Sequence, residues 1–415
     1  MDTQTATPSA AASLRPLFSL PVIVSALGFF VDVYDMLLFS IVRVPSLQAL
    51  GLSEEAVSRS GTLILNWQQA GLVLGGILWG VLGDKRGRMS VLFGSIITYS
   101  LANIACGFVN NVTLYAGLRF MAGIGLSGEI GAAMVLIAEI LPKDLRSYGA
   151  SLVAGIGYLG AGAAYLTVEW FDWRTAFWVG GGMGLLLLGL RVNVFESGLF
   201  VRMQRQSHVA TGNFLYFFSS RAQLIKYLRC VAVGMPTWFI VGILATFANE
   251  FGQALRIPEA VKPGQCIMMI YTGLAIGDLL AGPFSHWLQS RLRAIAWLLL
   301  FSAGLCSVFL FGGIRTAGGL YLVCGLAGFC TGYIAMFLTM VAELYGTNLR
   351  ATATTSVPSL VRGTVIPMTL LFQGLKPTVG TLWAAGLIGI AVYGLAFWSL
   401  RRMEETFGRD LDFAE

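Results

Sequence analysis

Charged residues are scarce in this chain. Only 12% of its 415 residues are Asp, Glu, Lys or Arg, whereas 56% are hydrophobic and the mean hydropathy is +0.75. Soluble domains carry about 25% charged residues. The composition therefore excludes an ordinary water-soluble protein and indicates an integral membrane protein.

Side chains that commonly carry out chemistry are also scarce. The two histidines, His208 and His286, lie in a polar stretch and at a helix end, and the sequence shows no nucleophile–base constellation, metal cluster or nucleotide-binding loop. Six cysteines are scattered through apolar segments without metal-ligand spacing, which is typical of small buried hydrophobic residues. We therefore expect neither an enzyme nor a cofactor or metal site.

Long apolar segments fill most of the chain. A membrane-spanning helix needs about 20 predominantly apolar residues, and twelve segments meet this requirement. They are 18–43, 60–83, 89–109, 112–140, 147–168, 173–191, 225–250, 263–288, 292–312, 316–343, 350–374 and 378–400. This pattern predicts an all-α polytopic membrane protein with twelve transmembrane helices.

The distribution of Lys and Arg predicts the orientation of the chain. The net charge is +6, but in a membrane protein it is the placement of the cations that is informative. If the first helix starts in the cytoplasm, 18 Lys and Arg residues lie at the inner face, 7 at the outer face and 2 within spans. This bias places both termini in the cytoplasm and makes lipid, not nucleic acid, the expected surroundings.

Two carboxylates and one arginine are expected to meet in the membrane. Asp32 and Asp35 share one face of the first span. By a rise of 1.5 Å per residue they lie about 18 and 22 Å from the inner surface, and Arg119 of the fourth span lies at about 20 Å. Charges inside a bilayer are costly and are usually functional. Separation of Asp35 from Arg119 would favour protonation of the carboxylate; a purely structural ion pair is the alternative.

Further polar residues lie at depths where a ligand could bind. Asn66 and Gln69 share a face of the second span, where they could line a cavity or only bond neighbouring helices. Arg362 in the eleventh span lies about 18 Å from the inner surface. It could bind a carboxylate or phosphate bidentately, or it could pair structurally with Asp278 or with backbone carbonyls.

The second half of the chain repeats the first. A-E-I-L-P-K-D-L-R at 138–146 returns as A-E-L-Y-G-T-N-L-R at 342–350, an offset of 204, whereas 79–87 is matched only loosely by 281–289. Membrane transport proteins commonly contain such repeats. The halves differ chemically, because Trp238 lies roughly where the first span has its aspartates. We therefore expect proton handling in the amino-terminal half.

Several motifs resemble those of the major facilitator superfamily of secondary transporters. The stretch 80–88, G-V-L-G-D-K-R-G-R, is similar to the signature loop G-x-L-x-D-R-x-G-R. R-F-x-x-G-x-G-x-x-G-E at 119–129, with the following E-x-x-P-x-x-x-R, resembles the fourth-span signature of the sugar-porter and metabolite:proton symporter branches. F-E-S-G-L-F at 195–200 resembles P-E-S-P-R-x-L without its prolines, and D-V-Y-D at 32–35 resembles the first span of aromatic-acid and metabolite symporters.

The resemblance implies two pseudo-symmetric six-helix bundles that alternate in exposing a central site. It implies that Asp35 is the protonated carboxylate and Arg119 its partner, and that Tyr34 belongs to the binding region. It also implies a cytoplasmic gate, formed by Gly80, Gly83, Asp84, Gly87, Arg88, Glu139, Arg146, Glu343 and Arg350. The fifth span lacks the proline-containing element of drug/proton antiporters, which argues against drug efflux.

These observations predict a proton-coupled symporter for a small organic anion or related metabolite in the inner membrane, with the proton as coupling ion. The substrate-binding set would be Tyr34, Asn66, Gln69, Trp238, Asp278 and Arg362. We expect a monomer with a cytoplasmic tail (1–17), two helical bundles (18–191 and 225–400), a linker (192–224) and a second tail (401–415). The alternatives are an exporter or uniporter of a zwitterionic or neutral metabolite, and a non-transporting membrane sensor.

Overall fold

The computed structural model describes residues 15–86, 88–127, 141, 146–196, 217, 219–345 and 350–407. Within them every predicted span contains helix and no strand occurs, so the all-α prediction is confirmed. Seven of the described segments are by themselves long and apolar enough to cross a bilayer. The predicted tails 1–17 and 401–415 lie mostly outside the described residues, as does most of the linker.

The helices follow one another in the order of the predicted spans. In the amino-terminal half they are α1 (Leu20–Ala49), α2 (Glu54–Arg86), α3 (Arg88–Cys106), α4 (Val112–Leu126), α5 (Arg146–Trp170) and α6 (Trp173–Glu196). In the carboxy-terminal half they are α7 (Arg221–Phe239), α8 (Ala248–Ala254), α9 (Pro263–Leu288), α10 (Arg291–Phe311), α11 (Ala317–Thr331), α12 (Ile334–Leu344), α13 (Arg350–Gly363), α14 (Val365–Val379) and α15 (Thr381–Leu400).

Polar residues fix the starts of several helices. The side chains of Asn111, Ser220 and Thr316 accept hydrogen bonds from main-chain amides in the first turns of α4, α7 and α11. Such caps satisfy amides that have no partner within the helix. The short loops between the apolar segments therefore also define where each helix begins.

The two halves repeat the same packing pattern. In the first half α1 packs against α5 and α6, α2 against α4, and α3 against α4 and α6. In the second half α7 packs against α13 and α15, α9 against α11, and α10 against α11 and α15. The halves meet where α5 packs against α9 and where α2 packs against α13 and α14. The predicted repeat thus extends from sequence to helix contacts.

Glycines at equivalent positions set the closest helix approaches. A Cβ atom on Gly71 of α2 would lie 2.2 Å from the carbonyl oxygen of Phe120 on α4. A Cβ atom on Gly273 of α9 would lie 2.0 Å from the carbonyl oxygen of Gly325 on α11. Only glycine permits such contacts, which allow membrane helices to pack closely.

Three of the predicted spans are interrupted in the second half. After Pro236 in α7, the helix widens into a π-helix at Ile240–Ala245 and breaks before α8. The span of α13 and α14 breaks after Gly363. Pro367, four residues later, has no N–H to donate to the Gly363 carbonyl, and its ring crowds that carbonyl. Each of the predicted spans 225–250, 316–343 and 350–374 therefore contains a break in its regular α-helix.

Several helices extend beyond the predicted apolar segments. The first helix continues past residue 43 to Ala49, and α2 begins at Glu54. The helices α6 and α7 extend into the predicted linker, to Glu196 and from Arg221. Helices can continue beyond the apolar segment because polar residues are tolerated where the chain leaves the membrane. We call the face at which α1 begins the proximal face, which is predicted to be cytoplasmic, and the opposite face the distal face.

Candidate functional site

Arg119 lies at the centre of the amino-terminal half, with no solvent exposure. Its Nη1 donates to Asn103 Oδ1 (2.6 Å), its Nε to Gln68 Oε1 (3.2 Å) and its Nη2 to the main-chain carbonyl of Asp35 (3.0 Å). The guanidinium also lies 5.4 Å from the ring centroid of Phe177. Charge-assisted hydrogen bonds of this kind compensate for the burial of a cation.

The structure therefore brings Arg119 and Asp35 together, as predicted, but their described hydrogen bond involves the main chain of Asp35. The carboxylate of Asp35 is fully buried against α6. A Cβ atom added at Gly180 would lie 2.2 Å from its Oδ1. Asp35 thus belongs to the interior of the first half and does not face the second half.

The sequence interpretation missed two of the partners of Arg119. Gln68 Oε1 accepts the hydrogen bond from Arg119 Nε, and Gln68 Nε2 donates to the carbonyl of Met36 (2.8 Å), which connects α4, α2 and α1. Asn103 supplies the shortest of the three contacts. Asn103 could have been identified from the sequence, because it is an amide side chain inside the apolar third span. Whether Gln68 or its neighbour Gln69 bonds to Arg119 depends on the rotation of α2 about its axis, which the sequence does not show.

Asp32 lies on the same side of α1 as Asp35 but in different surroundings. It is 3% exposed and lines a narrow cavity, too tight for a water molecule, together with Val33, Met36, Leu126 and Arg362. The cavity therefore places a carboxylate of the first half opposite a cation of the second half. An acidic and a basic side chain on opposite sides of the cavity are a suitable arrangement for binding a charged ligand between the halves.

Aromatic rings surround Arg362. Its guanidinium carbon lies 5.5 Å from the ring centroid of Trp238, and it interacts electrostatically with Asp32, Tyr158 and Tyr271. The Tyr158 and Tyr271 rings are 5.9 Å apart in an edge-to-face arrangement. A buried arginine among rings can hold a carboxylate while the rings contact an apolar body. The predicted residues Trp238 and Arg362 are therefore neighbours.

Asp278 is joined to the first half through Tyr158. The Tyr158 hydroxyl donates to Asp278 Oδ2 at 3.1 Å, from α5 to α9. The sequence did not suggest this contact, and the alternative of a structural Asp278–Arg362 pair stays a prediction. Asp278 lies beside the same tyrosine that interacts with Arg362.

The other predicted binding residues have different contacts. The Tyr34 hydroxyl donates to the carbonyl of Ala176 (2.9 Å) within the first half, so the structure places that hydroxyl away from the cavity. Asn66 accepts a hydrogen bond from Thr369 (2.6 Å) across the halves, which matches the interhelical alternative. Gln69 is 3% exposed, and its Oε1 has no described partner.

Of the predicted gate, Glu343 is the side chain whose contacts are described. Its carboxylate accepts two hydrogen bonds from Arg291, one from Nε and one from Nη2, each 2.6 Å long. Arg291 follows the loosely matched stretch 281–289, so an ion pair is present here although the loop signature is not. Gly80 and Gly83 lie in α2, and Gly87 and Glu139 lie outside the described residues, as do the side chains of Asp84, Arg88, Arg146 and Arg350.

Comparisons with known proteins agree with this architecture. The family model of the Major Facilitator Superfamily matches residues 24–366. A gentisate transporter of Corynebacterium glutamicum is 25% identical, over 78% of this chain and 74% of that protein. The 3-(3-hydroxy-phenyl)propionate transporter of Escherichia coli is 25% identical, over 85% and 89%.

A solved structure shows the same fold. The crystal structure of a D-xylose-proton symporter superimposes with a TM-score of 0.66 at 17% identity and covers 94% of this chain and 99% of its own. The family match and the named relatives indicate a transporter and not an enzyme. The family model, which matches well over half of the chain, establishes that this chain belongs to the major facilitator superfamily, and the repeated six-helix packing agrees with that fold.

Proposed function

We propose that this protein is a proton-coupled symporter that imports a small organic anion, with an aromatic carboxylate as the best-supported substrate class. The observation that carries the proposal is Asp32 facing Arg362 across the cavity between the halves. The rings of Trp238, Tyr158 and Tyr271 near that arginine suit an aromatic body. Gentisate and 3-(3-hydroxyphenyl)propionate, named for two relatives, are aromatic carboxylates.

The arrangement suggests how a proton and an anion are coupled. With Asp32 ionised, the opposite charge of Arg362 is balanced and an incoming anion meets a negative neighbour. With Asp32 protonated, the guanidinium can form a bidentate contact with the substrate carboxylate. Release of the anion then favours the return of the Asp32 charge and loss of its proton. Substrate and proton therefore bind and leave together.

Alternating access would expose this site to each side in turn. The bundles 18–191 and 225–400 would move relative to each other, with the contacts of α2 and α5 at their interface being remade. The excess of Lys and Arg on the proximal side supports an inner-membrane location with both termini in the cytoplasm. One chain contains both halves, so we propose that a monomer, surrounded by lipid, performs the cycle without a cofactor.

Proteoliposomes test this function with a panel of benzoate, hydroxybenzoates, aliphatic carboxylates, neutral sugars and amino acids. Binding is first ranked by the shift in thermal unfolding, and the best ligand is then assayed for uptake. We expect an inward proton gradient to drive accumulation. Asp32→Asn should abolish gradient-driven accumulation and retain exchange of labelled for unlabelled ligand, and Arg362→Gln should abolish ligand binding.

Arg174→Gln is the matched control, because Arg174 bonds to the carbonyls of Gly107 and Val109 at the distal loop, away from the cavity. It should retain both binding and gradient-driven accumulation. Wild-type uptake that ignores the proton gradient, or gradient-driven accumulation retained by Asp32→Asn, would reject the proposed coupling.

A further inference from the structure

The helix α2 and the span of α13 and α14 meet in an antiparallel register at the interface between the halves. The close approaches that define this register pair Thr62 with Gln373, Asn66 with Thr369, Val73 with Gly363 and Gly76 with Ser359. Each step along α2 is therefore matched by an equal step back along the opposing span. The register places Gln69 opposite Ile366, and Val73 at the level of Arg362.

Gln69 lies on the face of α2 that meets the second half. At about 100° per residue, it falls between Thr62 and Gly76 around the helix axis. Its neighbour Gln68 is rotated by about 100° from it and bonds to Arg119 inside the first half. The side chain of Gln69 is therefore directed towards α13 and α14.

The amide of Gln69 is buried without a partner in the protein. The residue is 3% exposed, its Oε1 has no hydrogen-bond partner, and no described hydrogen bond involves its Nε2. Other amides of the same interface are paired. Asn66, one turn away, accepts a hydrogen bond from Thr369, and Gln373 donates to Thr62 at 2.9 Å. Because a buried amide without partners is costly, an incoming hydrogen-bonding group would stabilise Gln69.

The axial separation of Gln69 from Arg362 suits a ring acid. Four residues of α2, from the level of Val73 to Gln69, correspond to about 6 Å along the helix axis. A benzoate ring spans a comparable distance between its carboxylate and the opposite ring position. The cavity at Arg362 is too tight for a water molecule, so a ligand enters when the halves move apart. It would then contact one half with each of its ends.

We infer that Gln69 is a specificity-determining residue whose amide binds a hydroxyl group at the end of the substrate remote from the carboxylate. This inference rests on the proposed function and narrows its substrate class to hydroxylated ring acids. The carboxylate binds Arg362 of the second half and the hydroxyl binds Gln69 of the first, so the substrate bridges the halves. An amide both donates and accepts, and it can therefore bond the hydroxyl in either sense.

The affinities of benzoate, 4-hydroxybenzoate and 4-methylbenzoate test this role, measured by thermal-shift titration of the purified protein. A methyl group resembles a hydroxyl group in size but cannot bond the amide. We expect wild type to bind 4-hydroxybenzoate at least tenfold more tightly than either other acid, because the other two leave the buried amide unpaired. Gln69→Leu should reduce this preference to less than about threefold, through weaker binding of 4-hydroxybenzoate alone.

Gln373→Leu is the matched control. It removes an amide from the same interface, but that amide is already bonded to Ser58 and Thr62. The variant should therefore keep the wild-type preference even if its thermal stability is lower. A merely structural defect in Gln69→Leu would weaken all three acids equally and leave their ratios unchanged.

The outcomes separate this inference from the proposed function. Equal wild-type affinities for 4-hydroxybenzoate and 4-methylbenzoate, or an unchanged preference in Gln69→Leu, overturn the role of Gln69 and leave symport of an aromatic carboxylate intact. If none of the three acids binds, the proposed substrate class is wrong and the inference is wrong with it. If Gln69→Leu does not fold, Gln69→Met, which keeps the unbranched shape, is judged by the same ratios.

Discussion

Arg43 of α1 is fully buried at the distal end of the molecule, and its Nη1 lies 3.6 Å from Glu250 Oε1 on α8 of the other half. Its Nη2 donates to the carbonyl of Thr246 (3.0 Å), at the break in the seventh span, and to Asn249 Oδ1 (2.9 Å). Lys376 of α14 binds the same glutamate at 2.6 Å. The two halves are therefore joined by charges at the distal face.

Loss of this arginine should open the distal face. Arg43→Gln removes the hydrogen-bond donor to the Thr246 carbonyl and one of the cations beside the Glu250 carboxylate. Loss of one partner of a buried ion pair costs about 3–5 kcal/mol. Ala248, which is fully buried on α8, serves as a reporter once changed to Cys. We expect a membrane-impermeant maleimide to label the thiol of Ala248→Cys at least tenfold faster when Arg43→Gln is also present than when Arg43 is intact. A tenfold change corresponds to about 1.4 kcal/mol, which is less than the expected loss.

Two controls make this measurement specific. Arg59→Gln removes an exposed cation from the same face and should leave the labelling rate unchanged, and the exposed reporter Gln253→Cys should be labelled rapidly in every background. The six native cysteines are buried free thiols. Equal labelling of Ala248→Cys with and without Arg43 would mean that this cation does not hold the distal face closed.

The distal ion pair also shows where sequence reasoning reaches its limit. The length and apolarity of the segments predicted all twelve spans, because burial in lipid imposes that composition. The first apolar segment ends at Arg43, which places this residue among the seven cations expected at the outer face, whereas the helix continues to Ala49 and buries it against the other half. Contacts between distant segments depend on how helices are rotated, and a single sequence contains no record of rotation.

The same limit applies within the candidate site. The depths of Asp35 and Arg119 followed from helix rise alone, and the structure brings these residues together. The choice among Asn66, Gln68 and Gln69 depends on helix rotation of about 100° per residue. The break at Gly363 is encoded locally by Pro367, so the sequence alone contains the signal for it.

Tyr34→Phe should barely change substrate affinity. The hydroxyl donates to Ala176 inside the first half, so its removal should lower the free energy of unfolding by about 1 kcal/mol. We expect the dissociation constant of the best ligand to change less than twofold. Trp238→Ala, which removes the ring beside Arg362, should weaken binding at least tenfold, because stacking and burial together contribute more than about 1.4 kcal/mol.

Ligand titration by thermal shift and by intrinsic fluorescence checks both variants. A Tyr34→Phe variant with strongly weakened binding would return Tyr34 to the substrate site, contrary to the hydrogen bond described here.

Glu405 makes the stability of the proximal face depend on pH. Partial burial alone would raise the pKa of its carboxyl group, but hydrogen bonds from Ser290 and from the main-chain amides of Phe407, Arg291 and Thr406 outweigh it and hold the pKa below its usual value. A lowered folded-state pKa stabilises the protein at all pH values above the unfolded pKa of about 4.3. That stabilisation is lost as pH falls through the folded-state pKa.

Thermal unfolding from pH 7 to pH 3 compares wild type with Glu405→Gln. We expect the variant to be less stable at neutral pH by about 0.5–1 kcal/mol, since the group is largely exposed, and the difference should shrink as pH falls. Glu404→Gln, at the neighbouring exposed position, should show a smaller difference at neutral pH. A constant gap across the whole pH range would show that ionisation of Glu405 contributes nothing.

Gly180 controls the position of Asp35. A Cβ atom at Gly180 would lie 2.2 Å from Asp35 Oδ1 and 3.0 Å from Tyr34 Cε1, whereas a Cβ atom at Gly182 on the same helix meets nothing within 4 Å. Gly180→Ala must therefore displace the carboxylate or separate α6 from α1. Overpacking of a buried contact costs about 1–3 kcal/mol, so we expect lower thermal stability and at least a fivefold loss of gradient-driven accumulation.

Gly182→Ala is the matched control, with the same change of chemistry on α6 and no atom to displace. It should equal wild type in both assays or be slightly more stable, because alanine favours helix. Exchange of labelled for unlabelled ligand separates the two possible defects in Gly180→Ala: retained exchange with lost accumulation assigns Asp35 to proton coupling, and loss of both assigns it to the structure of the first half. Equal behaviour of the two variants would contradict the packing of Asp35 against α6.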